Sequence, residues 1–197
     1  MHGLINRSIQ CFLVDTYGGA VWGEVVQTAG LGFDNFEAML SYDPDITEAV
    51  ILAAMGVLGR PREVLLEDLG TYLVSHPNLE ALRRLLRYGG VSFSDFLDSL
   101  EDLPERGRLA LPEIDLPCLR LTDQGNGVLE LSTSIMIPGV GHVIVGLLRA
   151  MADDYGALVL LDHAGTAGGQ EVIAIQLLDQ SYTQGKAFDL AMRAPAR

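Results

Sequence analysis

Cys118-Leu119-Arg120-Leu121-Thr122 and Val128-Leu129-Glu130-Leu131-Ser132-Thr133 flank the five residues Asp123-Gln124-Gly125-Asn126-Gly127. Apolar and polar side chains alternate on both flanks, the period of a half-buried strand, and Gly-Asn-Gly is turn chemistry. The stretch therefore predicts a β-hairpin. Downstream the period changes: Val140, Val143, Ile144, Leu147, Leu148 and Met151 recur at helical spacing. Two more strands follow, Ala157 to Asp162 and Glu171 to Leu178, joined across Gly165-Thr166-Ala167-Gly168-Gly169. The order ββαββ predicts a four-stranded antiparallel sheet with one helix packed on it.

Upstream of the hairpin the chain reads as helices. Leu4, Ile5, Ile9, Phe12 and Leu13 share a stripe that stops at Gly18-Gly19, and Val21, Trp22, Val25 and Val26 form a second one closed by Gly30. Asp45 with Glu48 reads as a capping box opening a helix over Ala49 to Leu58. Pro61 suits the first turn of a helix carrying Leu65, Leu66, Leu69 and Leu73, which Pro77 breaks. A helix over Leu79 to Tyr88 stops at Gly89-Gly90. The next starts at Ser92 or Ser94, turns Phe93, Phe96, Leu97, Leu100 and Leu103 inward, and ends at Pro104. The fold class is thus α+β, with a helical N-terminal lobe over about residues 1–110 and an α/β lobe over about 111–178. Together they form one domain, with a tail from 179 to 197 that is at most partly ordered.

Composition narrows the function classes. Of 197 residues, 49% are apolar and 20% charged, enough apolar surface for a core and too little charge for global disorder. With 13 basic and 26 acidic side chains the formal net charge is −13, which speaks against nucleic acid and anionic membrane as partners. Cys11 and Cys118 are the two cysteines, so neither a disulfide framework nor a thiolate zinc site is indicated, as expected of a reducing cytoplasm. The first residues do not read as a secretory signal. The longest apolar stretches, Ala49 to Gly59 and Ile135 to Leu148, fall short of the ~18–20 residues that cross a bilayer.

Catalytic constellations are sparse. Gly125-Asn126-Gly127 sits in a hairpin, and Gly139-Val140-Gly141 follows Pro138 with no Lys beside it, so neither reads as a phosphate loop. His2, His76, His142 and His163 are scattered without helical pairing for a metal. Ser132, Thr133 and Ser134 have no neighbouring base. Asp95, Asp98, Glu101, Asp102 and Glu105 read as a solvated helix flank. The chain is expected not to be an enzyme.

The N-terminal run Met1-His2-Gly3-Leu4-Ile5-Asn6-Arg7, with Phe12-Leu13-Val14-Asp15-Thr16-Tyr17-Gly18 and Trp22, resembles the opening of the haem-NO/oxygen-binding (H-NOX) family. The resemblance continues through Arg83-Arg84-Leu85-Leu86, Phe96-Leu97-Asp98-Ser99-Leu100 and Gly139 to Leu148, and it spans residues 1 to about 178. It implies the family's fold of a helical lobe followed by ββαββ. It also implies a gas-sensing role with haem held by an axial histidine and by a Tyr-x-Ser-x-Arg motif on the haem propionates.

Carried onto this chain, the axial histidine position holds Pro104, and the three motif positions hold Thr133, Ile135 and Ile137. Proline has no donor for iron, and isoleucine cannot neutralise a propionate. Pro117 matches a loop proline that contacts haem in relatives, and Ile5 a wall position that core packing explains equally. His142 falls where some relatives carry a tyrosine near bound oxygen, although helical periodicity turns it away from the apolar face. The expectation is a cytoplasmic, non-catalytic sensory or binding module of the bacterial kind. No cofactor and no metal are expected, and Ile135 and Ile137 are both expected to be buried. Its partner would be a signalling protein such as a histidine kinase or cyclic-di-GMP enzyme, with an apolar small molecule as a further ligand. The alternative is a haem-based NO or oxygen sensor with an unconventional ligand such as His142.

Overall fold

The computed structural model describes residues 1–110 and 112–186. The expectations for the tail from residue 187 onward lie outside the described residues. Helix α1 (Gly3–Tyr17) is followed by α2 (Gly19–Thr28), α3 (Pro44–Leu58), α4 (Arg62–Ser75), α5 (Glu80–Arg87), α6 (Phe93–Asp98) and α7 (Leu103–Ala110). Strands β1 (Leu119–Gly125) and β2 (Val128–Ser134), helix α8 (Val140–Tyr155), and strands β3 (Leu158–Ala167) and β4 (Gln170–Asp179) complete it. The sheet is antiparallel with order β1-β2-β4-β3, as the hairpin reading requires.

Both hairpins are tighter than their sequences indicate. Asn126 and Gly127 have φ of 57° and 75°, so a two-residue turn of the twist-matched kind replaces the expected five-residue one. Gly168 and Gly169, at 58° and 77°, do the same between β3 and β4.

Two helix starts differ from expectation. Asp43, not Asp45, caps α3: its side chain accepts from the Asp45 amide at 3.0 Å, and Pro44 occupies the first turn. Pro104 does not end a helix. A short 3-10 turn, Ser99–Asp102, separates α6 from α7, and Pro104 sits buried in α7's first turn, where the missing N–H costs no bond. Ser92 is the cap of α6, completed by Asp95 in a reciprocal capping box. The bond from Ser92 holds the Asp95 carboxyl below its ordinary range. Asp95 is thus a structural part of the acidic flank. Glu101 is another, accepting from the Leu121 amide at 2.9 Å and so capping the outer edge of β1.

The core has two parts. In the helical lobe Phe12, Leu13, Val25, Val50, Ile51, Leu66 and Trp22 pack together, the Trp22 indole donating to the Asp34 carbonyl at 2.7 Å. Phe93, Phe96, Leu97 and Leu100 pack with Leu148 and Met151 of α8 and with Leu131, Ile173 and Ile175 of the sheet. Helices α4 and α8 join the two parts and meet backbone to backbone. A Cβ on Gly70 would lie 2.0 Å from the Val143 carbonyl oxygen, and one on Gly146 would lie 1.9 Å from that of Glu67.

Helix α8 is tied down at its far end by Asp154, buried and paired with Arg83 and Arg87 of α5. The Arg87 guanidinium lies 3.9 Å over the Tyr155 ring. Burial raises the Tyr155 phenol above its ordinary range, and the hydroxyl donates to the Gly90 carbonyl at 3.0 Å. In the helical lobe the Tyr72 hydroxyl is likewise held protonated by burial and by its 2.7 Å bond to Asp15.

Candidate functional site

The start of α8 collects the polar groups between the lobes. The chain leaves β2 through Ile135-Met136-Ile137-Pro138 and turns into the helix at Gly139, whose φ of 82° favours glycine. The first amides of a helix have no partner within it and carry a positive partial charge. Here Glu171, near the start of β4, supplies the counterpart. Its carboxylate accepts from the Gly139 amide at 2.7 Å and from the Gly141 amide at 2.6 Å, and its side chain is 4% exposed. The third partner is His163 Nε2 of β3, 3.1 Å from Glu171 Oε2. Gly141 makes this approach fit, since a Cβ there would lie 2.6 Å from the His163 ring and 2.8 Å from Glu171 Oε2.

His163 stacks on His142 of α8, with ring centroids 4.1 Å apart and planes at 25°. His142 Nδ1 lies 3.3 Å from Glu67 Oε1 on α4, and Arg149 donates to the other Glu67 oxygen at 3.0 Å. The chain carboxylate–imidazole–imidazole–carboxylate therefore runs from α4 through α8 to β3 and β4. On the same side Arg62 donates to the Pro138 carbonyl at 2.9 Å and forks onto Glu48 at 2.6 and 2.8 Å.

The positions singled out in the sequence are only partly brought together. Thr133 is fully buried and donates to the Ser134 carbonyl at 3.3 Å. Ile137 is buried at 8% exposure, but Ile135 is 43% exposed, so the expectation that both pack inward holds for Ile137 alone. Strand alternation has ended by then, and the linker turns Ile135 to solvent. Pro104 is buried in α7; Pro117, ahead of β1, and Ile5 of α1 are half-buried.

The histidines, scattered in sequence, are each held by a neighbour, and His76 caps the end of α4. His142 is neither on an apolar wall nor free, because Glu67 and His163 engage its ring. His163 is half-buried, held by Glu171 and stacked on His142. His2 caps α1, its Nδ1 accepting from the Leu4 amide at 3.2 Å, and His76 stacks on Tyr72 with centroids 4.7 Å apart.

Glu171, Glu67 and the Gly70–Gly146 seam were missed in the sequence, whereas Gly139-Val140-Gly141 was read there and does open a helix with close approach at Gly141. The signal for Glu171 was present: alternation places it on one face with Ile173 and Ile175, the face turned to the core.

Ser132 Oγ donates to the Arg120 carbonyl at 3.4 Å, and Ser134 Oγ accepts from the Cys118 amide at 2.9 Å. Among the described residues no three His, Cys, Asp or Glu side chains converge as a metal site. No described helix is long and apolar enough to cross a membrane. An apolar cavity lined by Ile9, Phe12, Leu13, Ile51, Leu65 and Leu69 has room for about one water-sized sphere, too little for an organic ligand.

This combination, a helical lobe joined to a ββαββ lobe where α4 packs on α8, is the architecture of a haem-NO-binding domain. The Haem-NO-binding family matches residues 2–163, and the chain belongs to it. Soluble guanylate cyclase gcy-31 of Caenorhabditis elegans is 25% identical over 154 residues, 78% of this chain and 22% of that protein. Soluble guanylate cyclase 89Da of Drosophila melanogaster is 21% identical over 159 residues, 80% of this chain and 24% of that protein. The chain thus spans about a quarter of the length of these relatives.

Among solved structures, an H-NOX protein from S. oneidensis in the Fe(II)NO ligation state shares the fold with a TM-score of 0.74 at 19% identity. The match covers 91% of this chain and all of that one. Fe(II) unliganded H-NOX from K. algicida matches with a TM-score of 0.74 at 15% identity, over 93% of this chain and all of that one.

Family membership corrects the expectation that no cofactor is involved: the family is a haem-binding one, and haem is the cofactor that goes with it. The residues at the positions carried over from the resemblance do not fit that group. Pro104 offers iron no donor, and Thr133, Ile135 and Ile137 offer a propionate no cation. The carboxylate-binding amides at the start of α8 are taken by Glu171. No axial ligand or propionate partner follows from these positions.

Proposed function

We propose that this chain is a haem-linked gas-sensing domain of the H-NOX type, which works in the cytoplasm and passes its state to a signalling protein by contact. The observation that carries the reading is the family match across both lobes, from His2 to His163. Three features support its finer parts. The guanylate cyclase relatives are about four times longer than the segment this chain matches, which suits a sensory portion of a larger signalling assembly. The hydroxyls of Ser132 and Thr133 are committed to backbone carbonyls, which suits a domain without chemistry of its own. The junction that ties α4 to α8 and the sheet gives an event in one lobe a mechanical route to the other.

Titration of the purified protein with haemin, followed by absorption in the Soret region, tests the reading. Saturation at one haem per chain is the expected result. Absorbance that rises without saturation, as free haemin does, would contradict it. Pro104→His, which restores an imidazole at the carried-over position, is expected to tighten binding by at least about tenfold, or 1.4 kcal/mol.

A further inference from the structure

The turn Gly125-Asn126-Gly127 joins β1 to β2 and takes no part in the site above. Asn126 is the one non-glycine residue among those described with a positive φ, 57°, and Gly127 follows at 75°. Both residues are exposed. A two-residue turn of this twist leaves the amide of its second residue outside the ladder. Accordingly the Gly127 amide donates to no group among the described residues, and the Asn126 carboxamide makes no hydrogen bond among them. An electrophilic amide carbon and the backbone nitrogen that follows it are therefore both free. Gly127 has no side chain to hinder their meeting.

The other three asparagines are held. Asn6 is buried in α1 and accepts from the Thr47 hydroxyl at 2.7 Å. Asn35 accepts from Gln10 at 2.8 Å, and the amide after it, that of Phe36, donates to Gln10 Oε1 at 2.9 Å. Asn78 lies in the 3-10 turn Pro77–Leu79, where the next amide, that of Leu79, donates to the His76 carbonyl at 2.9 Å. Arg7, Phe36 and Leu79 also bring bulky side chains where Asn126 has glycine.

We propose that Asn126 is a site of spontaneous deamidation, converted to isoaspartate and aspartate without an enzyme. The Gly127 nitrogen attacks Asn126 Cγ, and the new C–N bond closes a succinimide ring. The Gly127 amide proton passes through water to the departing nitrogen, and the Cγ–Nδ2 bond breaks to release ammonia. Water then adds to either ring carbonyl and opens it, with no change of oxidation state. Either product adds a negative charge near Asp123, whose carboxylate already takes the Gly125 amide at 2.7 Å. Isoaspartate also lengthens the backbone by one carbon, which a two-residue turn matched to the strand twist does not accommodate. The Gly127 carbonyl accepts from the Leu177 amide at 3.0 Å, so the change reaches β4 as well as β1 and β2.

The test holds the full chain at mildly alkaline pH, folded in buffer and unfolded in urea. Its peptides are mapped by mass, and isoaspartate is detected by isoaspartyl methyltransferase labelling. In the folded protein Asn126 is expected to convert at a rate within about tenfold of that in the unfolded chain. Asn6, Asn35 and Asn78 are expected to keep their amides in the folded protein.

An Asn126 that keeps its amide in the folded protein while the unfolded chain converts would show that the turn holds the two groups apart, and it would overturn the proposal. So would equal conversion at all four asparagines of the folded sample, which would mark unfolding rather than this turn as the cause. Neither outcome depends on haem or on the sensing role.

Discussion

Alanine at Gly146 is expected to destabilise the domain by about 3 kcal/mol or more. Overpacking a core with a methylene typically costs 1–3 kcal/mol because side chains can give way. At this seam the neighbours are backbone. The new Cβ would sit 1.9 Å from the Glu67 carbonyl oxygen, and α4 cannot withdraw without moving Leu65, Leu66 and Leu69 out of the helical-lobe core. Gly70→Ala meets the Val143 carbonyl at 2.0 Å from the opposite side and should cost a similar amount. Gly56→Ala is the internal control. It lies in α3 with open space where its Cβ would go, and helix propensity alone should stabilise it by up to ~1 kcal/mol. Urea unfolding of the three variants checks the contrast. Equal effects at Gly146 and Gly56 would mean that the two helices do not touch as described.

The second large effect is expected at Glu171. Glu171→Ala removes an acceptor that serves the buried Gly141 amide and the part-buried Gly139 amide and contacts the half-buried His163 ring, and it leaves these groups without that partner. Hydrogen bonds to a charged group contribute ~1.5–3 kcal/mol each, and removing the carboxylate also removes the cost of burying it. The net loss should be about 3 kcal/mol, a fall in melting temperature of roughly 6–12 °C for a domain of this size. Glu171→Gln keeps an acceptor oxygen of the same reach and should lose about half as much. A Glu171→Ala protein as stable as the parent would show that water or another group serves the start of α8 equally well.

The fold was legible because its signals are local. Alternation from Leu119 to Thr133 and the helical spacing from Val140 to Met151 depend on neighbours a few residues away, and the ββαββ order follows from them. Helix starts were less legible where several caps compete: Asp43-Pro44 took the role expected of Asp45, and Pro104 opens a helix that it was expected to close. Both misreadings come from proline, which breaks a helix interior and suits a first turn equally well.

The site was less legible because it is made by distance in sequence. Glu67, His142, His163 and Glu171 come from four elements, and no spacing rule joins them. Periodicity correctly set His142 off the apolar face of α8 but could not show that a second histidine would stack on it. The glycine seam left no pattern either, since Gly70 and Gly146 matter only because their helices cross there. The family resemblance rested on collinear residues from both lobes and proved sound. The inference from four substituted positions to the absence of a cofactor went further than those positions carry.

If the domain senses gas through haem, as proposed, the absorption spectrum of the haem-loaded, reduced protein before and after adding NO will show it. The Soret band is expected to shift on NO addition and to return when NO is removed. A Soret band that NO leaves unchanged would contradict it.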